Sequence, residues 1–137
     1  MSDAAPTVVR FLNPASMPPS FGYTQVVEVT SSKMLYIAGQ VAIDPAGNVV
    51  GAGDLRAQTQ QVFENLKAGL EAVGATFVHV VKLNYYLLDI TQIQIVRDVR
   101  DRYVNMHSPP ASTAVEVRRL FRDEFVIEID VIAALPA

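Results

Sequence analysis

Polar and apolar positions alternate in "TQVVEVT" (24–30), which is the pattern of a strand with one covered face. In "MLYIAGQVAI" (34–43), Met34, Tyr36 and Ala38 fall on one side and Leu35 and Ile37 on the other, so this strand is apolar on both faces. With only "SSK" between them, the two predict a hairpin, and "DPAGN" marks the next turn. The period then changes. Over 54–74, Leu55, Val62, Leu66, Leu70 and Val73 recur at helical steps, with Asp54 placed to cap the start and Gly74 to close the end. "VVKLNYYLLD" (80–89) returns to a strand. A second helix is predicted over 90–104, with Thr91 and Gln94 as a capping box, Ile90 stapled onto Ile95, and Ile93, Val96, Val99 and Tyr103 as its apolar stripe. "HSPP" ends it, and "STAVEVRRL" (112–120) and "FVIEIDVIA" (125–133) are strands joined through "FRDE". A further strand is read at "TVVRF" (7–11), followed by the loop "NPASMPPSFGY".

The order β-β-α-β-α-β-β over one domain, 1–137, implies a two-layer α+β sandwich with both helices on one sheet face. The uncovered face is then informative. On the strand at 80–89 it holds Val80, Lys82, Asn84, Tyr86 and Leu88, and on the last strand Val126, Glu128, Asp130 and Ile132. So much apolar surface on a free face predicts a homo-oligomer that buries it, with Glu128 at or near the contact.

Composition narrows the function. Half of the 137 residues are apolar and 18% are charged, which excludes a disordered chain. No apolar run approaches the roughly 20 residues that span a bilayer, and "MSDAAPT" has no signal-peptide features, so a cytoplasmic protein without a membrane partner is expected. The absence of cysteine removes disulfides, thiol nucleophiles and thiolate metal sites. Arg97 with Asp101 and Asp98 with Arg102 have the i,i+4 spacing of a solvated helix face. The net charge of −3, the pI near 5.2 and the lack of interleaved aromatics argue against nucleic acid as a partner. His79 and His107 lie 28 positions apart with no further ligand at metal spacing, and "GNVVGAG" lacks the Lys-Ser/Thr of a phosphate loop. No metal and no cofactor are expected.

One carboxylate stands out. Glu128 lies between Ile127 and Ile129, where desolvation raises an acid's pKa and suits it to proton handling near neutral pH. An ordinary solvent-facing or salt-bridged strand carboxylate fits the same pattern. Tyr23, Tyr85 and Tyr86 read equally well as core or interface aromatics.

Taken in order, "FGYTQVVEV", "LYIAGQVAID", "QTQQVFENLKAGLEAVGA" with its Q-x-x-x-x-x-x-N-L spacing, "VVKLNYYLLDI", "PPASTAVEV" and "FVIEIDVIA" resemble the Rid (YjgF-like) family over roughly residues 21 to 133. That resemblance implies a chorismate-mutase-like fold and a homotrimer. Its sheets form a central barrel with helices outside, and small-molecule clefts lie between subunits. It implies hydrolysis of an imine or enamine to a keto acid and ammonia. An arginine in P-A-R-S clamps the substrate carboxylate, and a glutamate in the last strand holds the attacking water. A tyrosine from the neighbouring subunit's N-terminal loop lines the cleft. Carried onto this chain, the glutamate is Glu128 and the tyrosine Tyr23, with Gly39 and the backbone of Ala114 lining the cleft. The arginine position holds Ser112, Ala38 stands for the usual serine, and Ala114 for the common cysteine. Ser112 and Thr113 would offer hydroxyls instead. Arg118 is six strand residues from Ser112, roughly 20 Å, and too far to substitute. Arg97, with Arg100 near it, is the better candidate for an anion contact. Two functions follow: a Rid-like hydrolase whose substrate differs from an ordinary α-imino acid, or a non-catalytic trimeric module that binds a small ligand or a protein. The acidic pI and the lack of a paired histidine argue against a third, RNA cleavage.

Overall fold

The computed structural model of the chain describes residues 8–30 and 32–137. Thr7 of the leading strand and Ser31 of the first turn lie outside the described residues. The elements are β1 (Val8–Leu12), β2 (Val26–Thr30), β3 (Ser32–Gln40), α1 (Leu55–Glu71), β4 (Val80–Leu87), α2 (Ile93–Arg100), β5 (Ala111–Glu116) and β6 (Ile127–Pro136). Four strands form the main sheet in the order β3-β6-β4-β5, and β1 pairs with β2 in a second sheet. β6 runs antiparallel to both of its neighbours, while β5 lies parallel to β4 at the edge, reached through α2.

This is the α+β chorismate-mutase-like arrangement, with the leading strand present. The predicted hairpin is not formed. β2 takes β1 as its partner, with Arg10 and Glu28 ion-paired across it at 3.0 Å, and β3 takes β6. Alternation alone cannot choose a strand's partner, and here two distant segments compete better than the adjacent one.

α1 follows its pattern closely. The Asp54 carboxylate accepts from Ala57 N at 3.1 Å, and Gly74, at φ 77°, closes the end as Ala75 N donates to Leu70 O at 2.9 Å. Leu55, Val62, Leu66 and Leu70 are buried, but Val73 is 48% exposed because the helix stops at Glu71. The fully buried Phe63, absent from the predicted stripe, stacks on Tyr103 at 5.1 Å between centroids.

Gln58 and Asn65, the two polar residues of the Q-x-x-x-x-x-x-N-L spacing, splice the helix to neighbouring backbone. Gln58, fully buried, donates to Glu124 O at 2.7 Å and accepts from Val126 N at 2.9 Å. Asn65 donates to the carbonyls of Val41 and Ile43 at 3.2 and 2.8 Å. Because Val126 N is taken by Gln58, β6 starts at Ile127 rather than at Phe125. β5 stops at Glu116 because β4 ends at Leu87, whose carbonyl takes Val117 N at 2.8 Å, so 118–120 have no strand to pair with.

The second helix is shorter than predicted. The expected Thr91 cap is not made: Asp89 accepts from Thr91 N at 3.0 Å and caps a tight turn over Ile90–Gln92, and α2 begins after Gln92 without a side-chain cap. The chain leaves α2 after Arg100 in turns, although Val104 N still reaches Arg100 O at 2.9 Å. The predicted ion pairs on this face are replaced by Arg100 with Asp101 and Arg56 with Asp98.

α1 packs over β3 and β6, and α2 packs beside α1, so both helices share one sheet face. Leu83, Tyr85 and Leu87 from β4 and Ile127, Ile129 and Val131 from β6 fill the core beneath them. The other face is open. It presents Met34 and Tyr36, 71% exposed, beside Ile132, Lys82, Asn84, Tyr86, Glu128 and Val115. No helix among the described residues is long and apolar enough to cross a membrane.

Candidate functional site

β5 places two of the expected residues under α2. In the register with β4, Ser112 lies opposite Leu83 and Ala114 opposite Tyr85, so all four face the helices. α2 lays Ile93, Val96, Arg97 and Arg100 over them, and Phe21 and Tyr23 close the side of a cleft of about 50 Å³. The loop that carries the two aromatics is pinned by Thr24. Its buried hydroxyl donates to the Pro109 carbonyl, and its backbone N donates to Pro110 O at 3.2 Å. Gly22 is favoured by its φ of +75°, and a Cβ there would lie 3.3 Å from the flexible tip of Arg100 at Nη2.

The cleft is rich in donors. The Arg100 side chain is only 13% exposed, and its Nε and Nη2 reach Asp101 Oδ1 at 3.0 and 2.9 Å. The Arg97 side chain makes no ion pair or hydrogen bond among the described residues, since Asp101, its expected i+4 partner, is taken by Arg100. The Tyr85 hydroxyl is buried and without a hydrogen-bond partner. Such an orphan costs roughly 1–3 kcal/mol. Burial also pushes the phenol's pKa well above the ordinary tyrosine range, with the Arg100 charge opposing the shift and Asp101 adding to it.

Glu128 belongs to the opposite face. Its register partner on β4 is Tyr86, one residue on from Tyr85 and therefore on the other side of the sheet. Around it, Asp130 accepts from Asn84 Nδ2 at 2.7 Å and from Tyr86 OH at 3.0 Å, which holds the Tyr86 phenol above its usual pKa. Glu128 itself has no hydrogen-bond or ion-pair partner among the described residues. Its half-buried carboxyl is raised above the usual value, by burial first and by the neighbouring Asp130 charge second. Gly39 lies directly against it, so a Cβ at that position would come within 2.8 Å of Glu128 Cδ. The β3 register shifts between Ile37 and Gln40, and this irregularity brings Gly39 over the acid. A second, open cavity of about 400 Å³ begins at Gly39 and Gln40 and runs past Asp44 and Asn65 to Phe121.

The expected site residues thus fall into two groups. Tyr23, Arg97, Ser112 and Ala114 meet in the cleft, while Gly39 and Glu128 meet on the open face. Thr113 is on the open face too, where its hydroxyl accepts from Lys82 Nζ at 2.8 Å. Among the described residues the sheet separates the two groups. The sequence reading missed Tyr85 and Thr24 as parts of the cleft. Strand parity places Tyr85 beside Leu83, but nothing local distinguishes a core tyrosine from one whose hydroxyl faces a cavity. Among the described residues no group of His, Asp or Glu is placed to hold a metal ion.

The family model described as Endoribonuclease L-PSP matches residues 14–135. The chain is 42% identical over 111 residues to the protein DfrA of Myxococcus xanthus, covering 81% of this chain and 83% of that one. It is 35% identical over 127 residues to a goat (Capra hircus) 2-iminobutanoate/2-iminopropanoate deaminase, covering 92% and 90%. The crystal structure of YyfB, a Rid-family protein of unknown function from Yersinia pestis, superposes with a TM-score of 0.82 at 38% identity, covering 93% of this chain and 98% of that one.

Proposed function

The chain belongs to the endoribonuclease L-PSP family, the Rid (YjgF) family of its structural relatives, and we propose that it is a hydrolase of small imines or enamines. In this reading water adds to the C=N carbon, and the resulting carbinolamine expels ammonia to leave the carbonyl compound. Glu128 positions the water and moves its proton. The observation that carries the reading is this carboxylate: half-buried, unpaired among the described residues, raised in pKa, and seated against Gly39. A carboxylate with a raised pKa can take a proton from water and return it to the departing nitrogen near neutral pH.

Because the cleft and Glu128 are on opposite sheet faces, a complete site needs two protomers. One offers the cleft with Tyr23, Ser112 and Ala114, and its neighbour offers Gly39 and Glu128. The apolar and polar open face, buried between copies, would supply that contact, and a homotrimer fits it. Similarity to a protein named 2-iminobutanoate/2-iminopropanoate deaminase supports the substrate class.

The test is the decay of 2-iminobutanoate, generated by an amino-acid oxidase in the presence of a trapping agent. Wild-type protein should accelerate decay, and Glu128→Gln should not. Full activity in Glu128→Gln would overturn the role of the acid. A wild type inert toward a broad imine panel would overturn the hydrolase and favour the binding module.

A further inference from the structure

We infer that the Tyr85 hydroxyl and the guanidinium groups of Arg97 and Arg100 form an anion subsite that takes the carboxylate of the small molecule bound in the cleft. The guanidinium is thus supplied from α2 and not from position 112 on β5. This rests on the hydrolase reading for the rest of the substrate, but the anion subsite stands on its own geometry.

Three observations converge. The Tyr85 hydroxyl is buried, faces the cleft and lacks a partner, so it is a donor waiting for an acceptor. The guanidinium groups of its neighbours in the cleft, Arg97 and Arg100, are donors only and offer it no acceptor. Asp101 balances the charge of Arg100 through Nε and Nη2, which leaves Nη1 without a hydrogen bond and the exposed Arg97 without an ion pair among the described residues. A planar guanidinium fork and a phenol make a complementary set for a carboxylate.

Size narrows the ligand further. A water needs roughly 10–15 Å³ of such volume, so a cleft of about 50 Å³ holds only a few waters. That is room for a carboxylate and a short carbon chain, and too little for a nucleotide or a sugar phosphate. Ile93, Val96 and Ala114 give the chain an apolar wall. The Arg100 guanidinium also lies close to Gly22 in the loop bearing Tyr23.

The probe is 2-oxobutyrate, a stable carboxylate of the right size, titrated calorimetrically beside its methyl ester. Tyr85→Phe keeps the ring and the packing, and it should weaken 2-oxobutyrate binding about five- to tenfold. Arg97→Met should weaken it about tenfold or more, and the ester should bind poorly to every form. Lys67→Gln, on the exposed part of α1, should bind 2-oxobutyrate as the wild type does. Equal affinity for acid and ester, no 2-oxobutyrate binding by the wild type, or unchanged affinity in both Tyr85→Phe and Arg97→Met would overturn the subsite. The two readings separate cleanly. Binding that depends on Tyr85 and Arg97 without imine hydrolysis sinks the hydrolase and keeps the subsite. Hydrolysis with a KM indifferent to both substitutions does the reverse.

Discussion

Ser112 and Glu128 are held on opposite faces of one sheet. Ser112 shares the helix-side face with Leu83, and Glu128 shares the open face with Tyr86, so β4 and the sheet plane stand between them. If one reaction uses both, it does so across two protomers. Mixing is then diagnostic. Assayed well below KM, where Glu128→Gln is inactive and Arg97→Met is reduced about tenfold, an equal mixture should reach about a quarter of wild-type turnover after co-refolding, since a quarter of interfaces pair two intact halves. No recovery in verified mixed oligomers would place the whole site within one chain.

Gly39 and Glu128 touch so closely that a methyl group is excluded, with Cδ and Cγ at 2.8 and 3.1 Å from where a Cβ would stand. Gly39→Ala should swing the carboxylate away and lower imine turnover about tenfold or more, since small misplacements are costly in catalysis. The atoms in the way are the far end of a flexible side chain and not backbone, so stability should change by no more than about 1 kcal/mol. Turnover and urea melts on the same preparation distinguish a displaced acid from a damaged fold.

The raised pKa of Glu128 has a definite sign in stability. The folded state holds its proton at pH values where the unfolded chain, near the ordinary 4.5, has lost it. The contribution of this group is complete below that value and is lost as pH rises through the raised one. Glu128→Gln should therefore be more stable than wild type at pH 7, and the gap should shrink as pH falls through this window. Denaturation midpoints measured from pH 4 to pH 7 would contradict this if the variant were the less stable at neutrality.

Gln58 is a buried amide whose two partners are backbone groups of the segment leading into β6. Gln58→Leu fills similar volume but strands Glu124 O and Val126 N, and should cost about 2–4 kcal/mol. A substitution on the exposed part of α1, such as Lys67→Gln, should cost little by comparison. Urea denaturation of both variants gives the contrast, and equal midpoints would remove Gln58 from the structural account.

Tyr36 stands 71% exposed beside Ile132 on the open sheet face. An oligomer that buries this face should elute near three times 15.0 kDa, and Tyr36→Glu should shift it toward a monomer and abolish imine turnover with it. A wild-type monomer in light scattering would remove the contact and the composite site together.

Much of this was readable along the chain. α1, its Asp54 cap and its Gly74 terminus follow from local chemistry, because a helix is stabilised by residues three and four apart. The two-faced strands and the suspect status of Glu128 follow from strand parity. The strand that pairs with β2, the late start of β6 and the Asp89 cap were misread or missed. In each, a remote or slightly earlier group outcompeted the nearest one: β1 for β2, the Gln58 amide for Val126 N, Asp89 for Thr91 N.

The sequence by itself determined the element types, the core stripe and the serine at position 112, all properties of short-range periodicity or single positions. Only the tertiary structure decided that Arg97, Arg100 and Tyr85 meet beside Ser112 while Glu128 faces away. Those relations depend on strand order and register, set by contacts between residues far apart in the chain, and no local pattern encodes them.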